Sequence, residues 1–250
     1  MSGVLIMRPL PHGAPPVGAG SGAGNLATAD PNEVWIAPNV APATIVADAG
    51  TQVLVDSFLL GYTNATDDAS WSIATMTDAV GGGLVERHSG FMRPLDSLGP
   101  RHHAFVRLPN PISSRYFQLA VDQGGATPLH AGIFAFGISF EKHREYGPGR
   151  AIIDGGKRSD LPSGGFGSED GAIKAQFSFS FVDLTDLEVH ALEAIQRACG
   201  LRRPVVVVED ADVTVGRNEA IHYGVFDRFQ AINRADPAAS GWAGTVIEWA

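Results

Sequence analysis

Lys157 follows Gly155 and Gly156 and precedes Arg158 and Ser159, the texture of a loop that cradles phosphate. A phosphate loop needs Ser or Thr directly after its Lys and another Gly five residues before the second one, so that backbone N–H groups and a hydroxyl converge on the ligand. Arg158 and Ala151 stand in those places, so the stretch reads as an assembly loop. His102 and His103 are metal-ligand types, but neighbours along a strand point to opposite faces, and they read as a surface pair. Asp210 and Asp212 have the spacing that begins a calcium loop. Val215 sits where its turn demands Gly, and no Glu closes it at the twelfth place, which leaves them as solvated turn acids. Trp71 and Tyr62 carry ring faces that could stack on the apolar side of a sugar. Trp71 reads as core, whereas Tyr62, with Asn64 and Asp67 in a polar loop, is the candidate binding set. No G-x-G-x-x-G, G-x-S-x-G or H-E-x-x-H occurs, and no acid, base and nucleophile cluster along the chain. No catalytic residue, cofactor or metal is therefore assigned, and the chain is not expected to be an enzyme. Cys199, the only cysteine, reads as a buried thiol at a helix end.

The elements that must position these residues are clearest from Ile173 to Asp210, which reads as strand, helix, strand. Every second residue from Ile173 to Phe181 is apolar, the period of a half-buried strand. Phe177, Phe179 and Phe181 are its core face, or a contact between subunits. Thr185 and Glu188 form a capping box, with Leu184 placed to staple to Val189, and Gly200 offers the residue that ends the helix. The spacing predicts a helix over 186–198 whose buried stripe is Leu187, Ala191, Ala194, Ile195 and Ala198, with Asp186, His190, Glu193 and Arg197 opposite. The run Val205-Val206-Val207-Val208 is short and β-branched, as in a strand buried on both faces.

The 250 residues are 44% hydrophobic and 18% charged, an ordinary globular balance, but 30 Gly and 16 Pro call for many turns and hence a mainly β chain. A formal charge of -9 argues against a nucleic-acid-binding surface, which needs a basic footprint. The apolar run Val4-Leu5-Ile6-Met7 is shorter than the ~7–15 residues of a signal-peptide core. No run reaches the ~18 apolar residues of a membrane span.

Residues 1–24, rich in Pro, Gly and Ala, read as a flexible arm. Residues 25–145 carry short β-type runs at Val34-Trp35-Ile36, Ala43–Val46, Val53–Val55, Phe58–Leu60, Trp71–Thr75, Phe105–Leu108, Arg115–Val121 and Ile133–Phe140, separated by Pro, Gly and Asp, which is the spacing of an antiparallel sandwich. The pattern breaks at Tyr146-Gly147-Pro148-Gly149. Residues 146–250 then hold a glycine-rich loop from Asp154 to Gly171, the strand-helix-strand unit, two runs at Tyr223–Phe226 and Phe229–Ile232, a polar turn from Asn233 to Gly241, and a last strand at Gly244–Trp249. This half is α+β. In the loop, Phe166 is a lone large apolar residue suited to anchoring in a neighbouring subunit, with Lys157 and Arg158 beside it as assembly contacts.

Taken in order, Asn25-Leu26, Val34-Trp35, Asp48-Ala49-Gly50, Leu60-Gly61-Tyr62-Thr63-Asn64-Ala65-Thr66, Trp71-Ser72-Ile73 and Arg115-Tyr116-Phe117-Gln118-Leu119 resemble the galactose-binding-like, discoidin-type jelly roll. With Tyr146-Gly147, a helix, Pro204–Val207 and Tyr223-Gly224-Val225 behind them, they are similar to the tailed-bacteriophage or prophage distal-tail and baseplate proteins. The resemblance implies a galactose-binding-like β-sandwich followed by a tail-tube-like β-sandwich domain with one packed α-helix. It also implies a structural subunit of the virion tail tip, made in the bacterial host cytoplasm. Its partners would be itself, in a ring, and other tail proteins: tube, hub, tape measure or fibres. The alternative is a carbohydrate-binding module attaching the particle to host glycan. That family brings no catalytic set, and a fold does not establish sugar binding.

Overall fold

The computed structural model describes residues 3–13, 20–40, 42–66, 69–77, 84–91, 102–123, 127–145, 149–210, 219–236 and 239–249, with the backbone alone at 84–91, 102, 235 and 236. In chain order the first strands are β1 (Val4–Met7), β2 (Trp35–Ile36), β3 (Ala43–Thr63), β4 (Ser70–Met76), β5 (Leu84–Phe91), β6 (His102–Asp122), β7 (His130–Ala131), β8 (Ile133–Gly137) and β9 (Ser139–Lys142). There follow β10 (Arg150–Asp154), β11 (Lys157–Asp160), β12 (Phe166–Glu169) and β13 (Ile173–Leu184), then the helix α1 (Asp186–Cys199). The remaining strands are β14 (Val205–Val208), β15 (Ile221–Phe229), β16 (Asn233–Asp236) and β17 (Ala239–Glu248). The protein is mainly β, with one α-helix among the described residues, the class expected from its turn-rich composition.

The chain divides into one unit of residues 1–141 with 206–221 and another of 142–205 with 222–250. These limits differ from the expected 1–24, 25–145 and 146–250 at both ends. Val4 to Met7 form a fully buried strand in place of an arm. The four apolar side chains, too short a run for a signal core, find an edge on the equally apolar β14: Leu5 pairs with Val208, Ile6 with Val207 and Met7 with Val206. Leu10 N–H then donates to the Phe136 carbonyl, and His12 stacks on the Phe136 ring at 5.3 Å. The expected break at Tyr146 to Pro148 lies outside the described residues.

In the first unit the sheet order is β5-β4-β6-β3-β8, all antiparallel. The runs that read as separate short strands between 43 and 63 are one long strand. Asp48-Ala49-Gly50, which looks like a chain reversal, sits where the β3–β6 register shifts between Asp48 and Val53. Gly50 adopts φ +77°, and its N–H donates to the Asp48 carboxylate at 2.7 Å, a local device for absorbing extra residues in a bulged strand. Arg115 on β6 donates twice to the same carboxylate, at 2.7 and 2.8 Å. This pair, aided by the Gly50 N–H and opposed by partial burial, holds the Asp48 carboxyl below its ordinary range. The core beneath is aromatic, with Phe58, Phe117 and Phe136 in mutual ring contact and Trp35 and Trp71 buried.

In the second unit β13 pairs with β10 on one side and β17 on the other, and β17 pairs onward with β15 and β16. Asn233 to Gly241, expected as a turn, contains β16 and the start of β17, which pair antiparallel with Asn233 opposite Gly241 and Asp236 opposite Ala239. Phe177, Phe179 and Phe181 are buried as their period requires, and Phe179 and Phe181 meet Trp242 at 5.8 and 6.0 Å. Helix α1 begins with the capping box the sequence specifies: the Thr185 hydroxyl accepts from Glu188 N–H, and the Glu188 carboxylate accepts from Thr185 N–H at 2.7 Å. Burial alone would raise the Glu188 carboxyl. Lys142, bonded at 2.9 Å, and Thr185 outweigh that and hold it below its ordinary range. The buried stripe of α1 is Leu192, Ile195 and Cys199, and Leu187 is 83% exposed with Ala191 and Ala194 also in solvent. The expected stripe is therefore off by part of a turn and shares only Ile195 with the fully buried set.

The two faces of β13 should respond differently to truncation. Phe179→Ala should cost about 3–5 kcal/mol in a denaturant titration, because it empties a fully buried aromatic site. Ser178→Ala should cost about 1 kcal/mol, the value of the hydroxyl pair with Thr245. Equal losses would mean that the faces are assigned wrongly.

Candidate functional site

The sequence places its candidate binding set at the end of β3, and the backbone there is unusual. Gly61 faces His103 so closely that an added Cβ would lie 2.8 Å from Nδ1. Tyr62 follows in a left-handed conformation, φ +56°, which a non-glycine residue adopts at a cost. Its N–H donates to His103 Nδ1 at 3.2 Å, and its half-buried ring lies edge-on to the imidazole at 4.9 Å. Accepting at Nδ1 leaves the His103 proton on Nε2 when the ring is neutral. His103, expected on the surface, is buried by this arrangement. The side chain of its neighbour His102 is outside the described residues.

Asn64, two residues on, is spoken for. Its Oδ1 accepts from His130 N–H at 2.7 Å, and its Nδ2 donates to the Pro128 carbonyl at 3.0 Å. Thr66 Oγ1 donates to the Gln123 carbonyl at 2.8 Å. The loop after β3 is thus bound to the segment leading into β7 by its own polar side chains. Asp67, the third member of the set, lies outside the described residues, as do Asp212 and Val215 of the calcium-like spacing. Trp71 is core, as its strand position implies, and Cys199 is buried. Among the described residues, no three His, Cys, Asp or Glu side chains gather where they could hold a metal ion. Among the described residues, no helix is long and apolar enough to cross a membrane.

The three assembly candidates lie together in the second unit, where the glycine-rich loop proves to be a hairpin. Strand β11 pairs with β12, with Lys157 opposite Glu169, Arg158 opposite Ser168 and Asp160 opposite Phe166. Gly164, at φ +83°, makes the turn, closed by Leu161 N–H on the Gly165 carbonyl at 2.8 Å. Phe166 stays 63% exposed, its ring covered on one face only by the Arg158 guanidinium at 4.5 Å. Beside the hairpin, β10 forms an edge strand with Ile152 76% exposed, and Ile173 on β13 is 62% exposed. Ile152 is not singled out by the sequence reading. Ile173, read there as the first apolar position of a half-buried strand, lies instead in solvent at the strand's start, on the same face as the buried Phe177.

No family model matches this chain, and no curated protein does. Solved structures do. Chitosan-binding module 1 of a chitosanase/glucanase from Paenibacillus sp. IK-5 is 11% identical, covering 52% of this chain and 98% of its own, with a TM-score of 0.41. The lectin domain of lectinolysin, in complex with Lewis B antigen, is 18% identical over 50% of this chain and 86% of its own, with a TM-score of 0.35. Reduced XRCC1 bound to the DNA polymerase β catalytic domain is 12% identical over 54% and 97%, with a TM-score of 0.36. Carbohydrate-binding modules recur among these structures, and nothing in the comparisons points to a phage tail.

Asn64→Ala should destabilise the protein by about 1–2 kcal/mol with no ligand present, since it removes two bonds between the segments it bridges. Chemical denaturation of the full chain measures it. An unchanged midpoint would show that Asn64 is not committed to the loop.

Proposed function

We propose that this protein is a non-enzymatic structural subunit that works within a larger assembly, of the tailed-phage tail-tip kind. The observation that carries the assembly reading is the apolar surface of the second unit. Leu187, Ile152, Phe166 and Ile173 stand mostly in solvent, and Ile152 and Ile173 share one face of the adjoining strands β10 and β13. Apolar side chains that share an exposed face mark surfaces that meet a partner. The tail-tip setting is supported by the order of motifs from Asn25 to Val225. In that setting the protein is a virion component made in the host cytoplasm, in contact with copies of itself and with neighbouring tail proteins.

A second reading is a carbohydrate-binding module, with the first unit meeting host glycan and the second holding it in place. It is the reading that the names of the similar structures favour, and its motif is the galactose-binding-like run around Tyr62. Asn64 weakens it as drawn from the sequence, because its amide is already bonded at both ends. The candidate rim is then Tyr62 with the adjoining loop.

Mass and ligand measurements on the full chain separate the two. The assembly reading predicts self-association, or co-sedimentation with tail proteins, together with a blank glycan array. A strict monomer that binds no tail protein and retains a defined glycan would replace it with the second reading.

A further inference from the structure

We propose that the free edge of β11 pairs with the same edge of a second copy of this chain. The inference deepens the assembly reading, on which it rests, by naming one surface. Strands β11 and β12 form a two-stranded sheet of their own, and every residue in them is exposed except the half-buried Gly167. Among the described residues, no third strand joins either edge. A lone two-stranded ribbon is marginally stable in water, and a further strand is what it lacks.

The turn fixes which backbone groups are directed outward. Leu161 N–H donates to the Gly165 carbonyl at 2.8 Å, so these two are a hydrogen-bonded pair. Behind them Asp160 lies opposite Phe166, Ser159 opposite Gly167, Arg158 opposite Ser168 and Lys157 opposite Glu169. Bonded and non-bonded pairs alternate along an antiparallel ladder, so Lys157 and Ser159 direct their N–H and C=O at β12, and Arg158 and Asp160 direct theirs away from it. The two outward positions carry opposite charges. The Arg158 Cζ lies over its own Phe166 ring at 4.5 Å, and among the described residues neither its N–H groups nor the Asp160 carboxylate is engaged in a hydrogen bond or ion pair. The N–H donors of a guanidinium spread in its plane, so a carboxylate can be held at its edge while the ring stays beneath.

Charge selects the register of an antiparallel two-fold pairing. Centred on Arg158 it sets two guanidinium groups together, and centred on Asp160 it sets two carboxylates together. Centred on Ser159, it places each Arg158 opposite the Asp160 of the other copy, and each of these pairs exchanges two backbone hydrogen bonds. All the outward groups of both residues are then satisfied, and the edge is self-complementary, as an isologous contact requires. On the other face Lys157 comes opposite Leu161, 45% exposed in the single chain, which its methylene stem can cover. A charged edge ordinarily guards a sheet against pairing, and here it admits only a strand of matching charge order. Strand β11 follows β10 on the same side of the ribbon, so the tip of the partner's hairpin is directed toward β10 and the margin that holds Ile152.

Charge reversal in the full chain tests this. Wild-type protein should sediment as a dimer or as an even-numbered multiple of it. Arg158→Asp alone, and Asp160→Arg alone, should each weaken association at least roughly tenfold, because the two-fold axis makes each reversal set two like-charged pairs opposite one another. The double variant, R158D with D160R, should restore it, an outcome that loss of folding cannot imitate. Wild-type protein that stays monomeric at about 100 µM overturns both this contact and self-assembly as such. Association that ignores both reversals, or that the double variant fails to recover, overturns the β11 contact and leaves the assembly reading standing.

Discussion

The pairing of β13 with β17 sets what the second unit can cover and what it must leave out. A strand shows alternate residues on one face, so the face that buries Phe177, Phe179 and Phe181 also carries Ala175 and Ile173. β17 and the rings of Trp242 and Phe226 complete the core at one end. At the other end β13 has only β10 beside it among the described residues, and the apolar face runs on into solvent at Ile173 and Ile152. Exposure here is a consequence of strand period and strand length. It gives the unit a covered core and an uncovered margin on one continuous surface.

Much of this was legible in the sequence because local chemistry decides it. Thr185 and Glu188 announce the start of α1, and the alternation from Ile173 to Phe181 announces β13. The face of α1 was not legible. Its apolar residues include Leu187, Val189, Ala191, Leu192, Ala194, Ile195 and Cys199, enough to draw two overlapping stripes, and only the packing partner selects Leu192, Ile195 and Cys199. The same holds for β1: Val4 to Met7 are too few to declare a strand until β14 supplies an edge. Asp48-Ala49-Gly50 has the composition of a reversal, yet this bulge uses the same residues, since a left-handed glycine whose N–H donates to a preceding carboxylate serves either conformation.

The candidate binding residues show a similar limit. Tyr62 was singled out for its ring, but what distinguishes it is its strained backbone and its contact with His103, 41 residues away in sequence. Asn64 has the right chemistry for a sugar hydroxyl and spends it on the loop at Pro128 and His130. Residue type told what these groups could bind, while long-range pairing determined what they do bind. Phe166, read from the sequence as an anchor in a flexible loop, stands exposed on a hairpin beside the Arg158 guanidinium, a presentation that cross-strand pairing sets and residue type does not announce.

The claim that the open margin of the second unit is covered by another copy is tested most directly by hydrogen exchange of the full chain, read residue by residue at high and low concentration. The amides of Ala151 and Ile153, directed at β13, should be protected at both. Those of Ile152 and Asp154, which alternate with the residues bonded to β13 and so are directed outward, should be protected in concentrated protein and exchange quickly on dilution. Rapid exchange of these two at every concentration, with Ala151 and Ile153 protected throughout, would contradict the account.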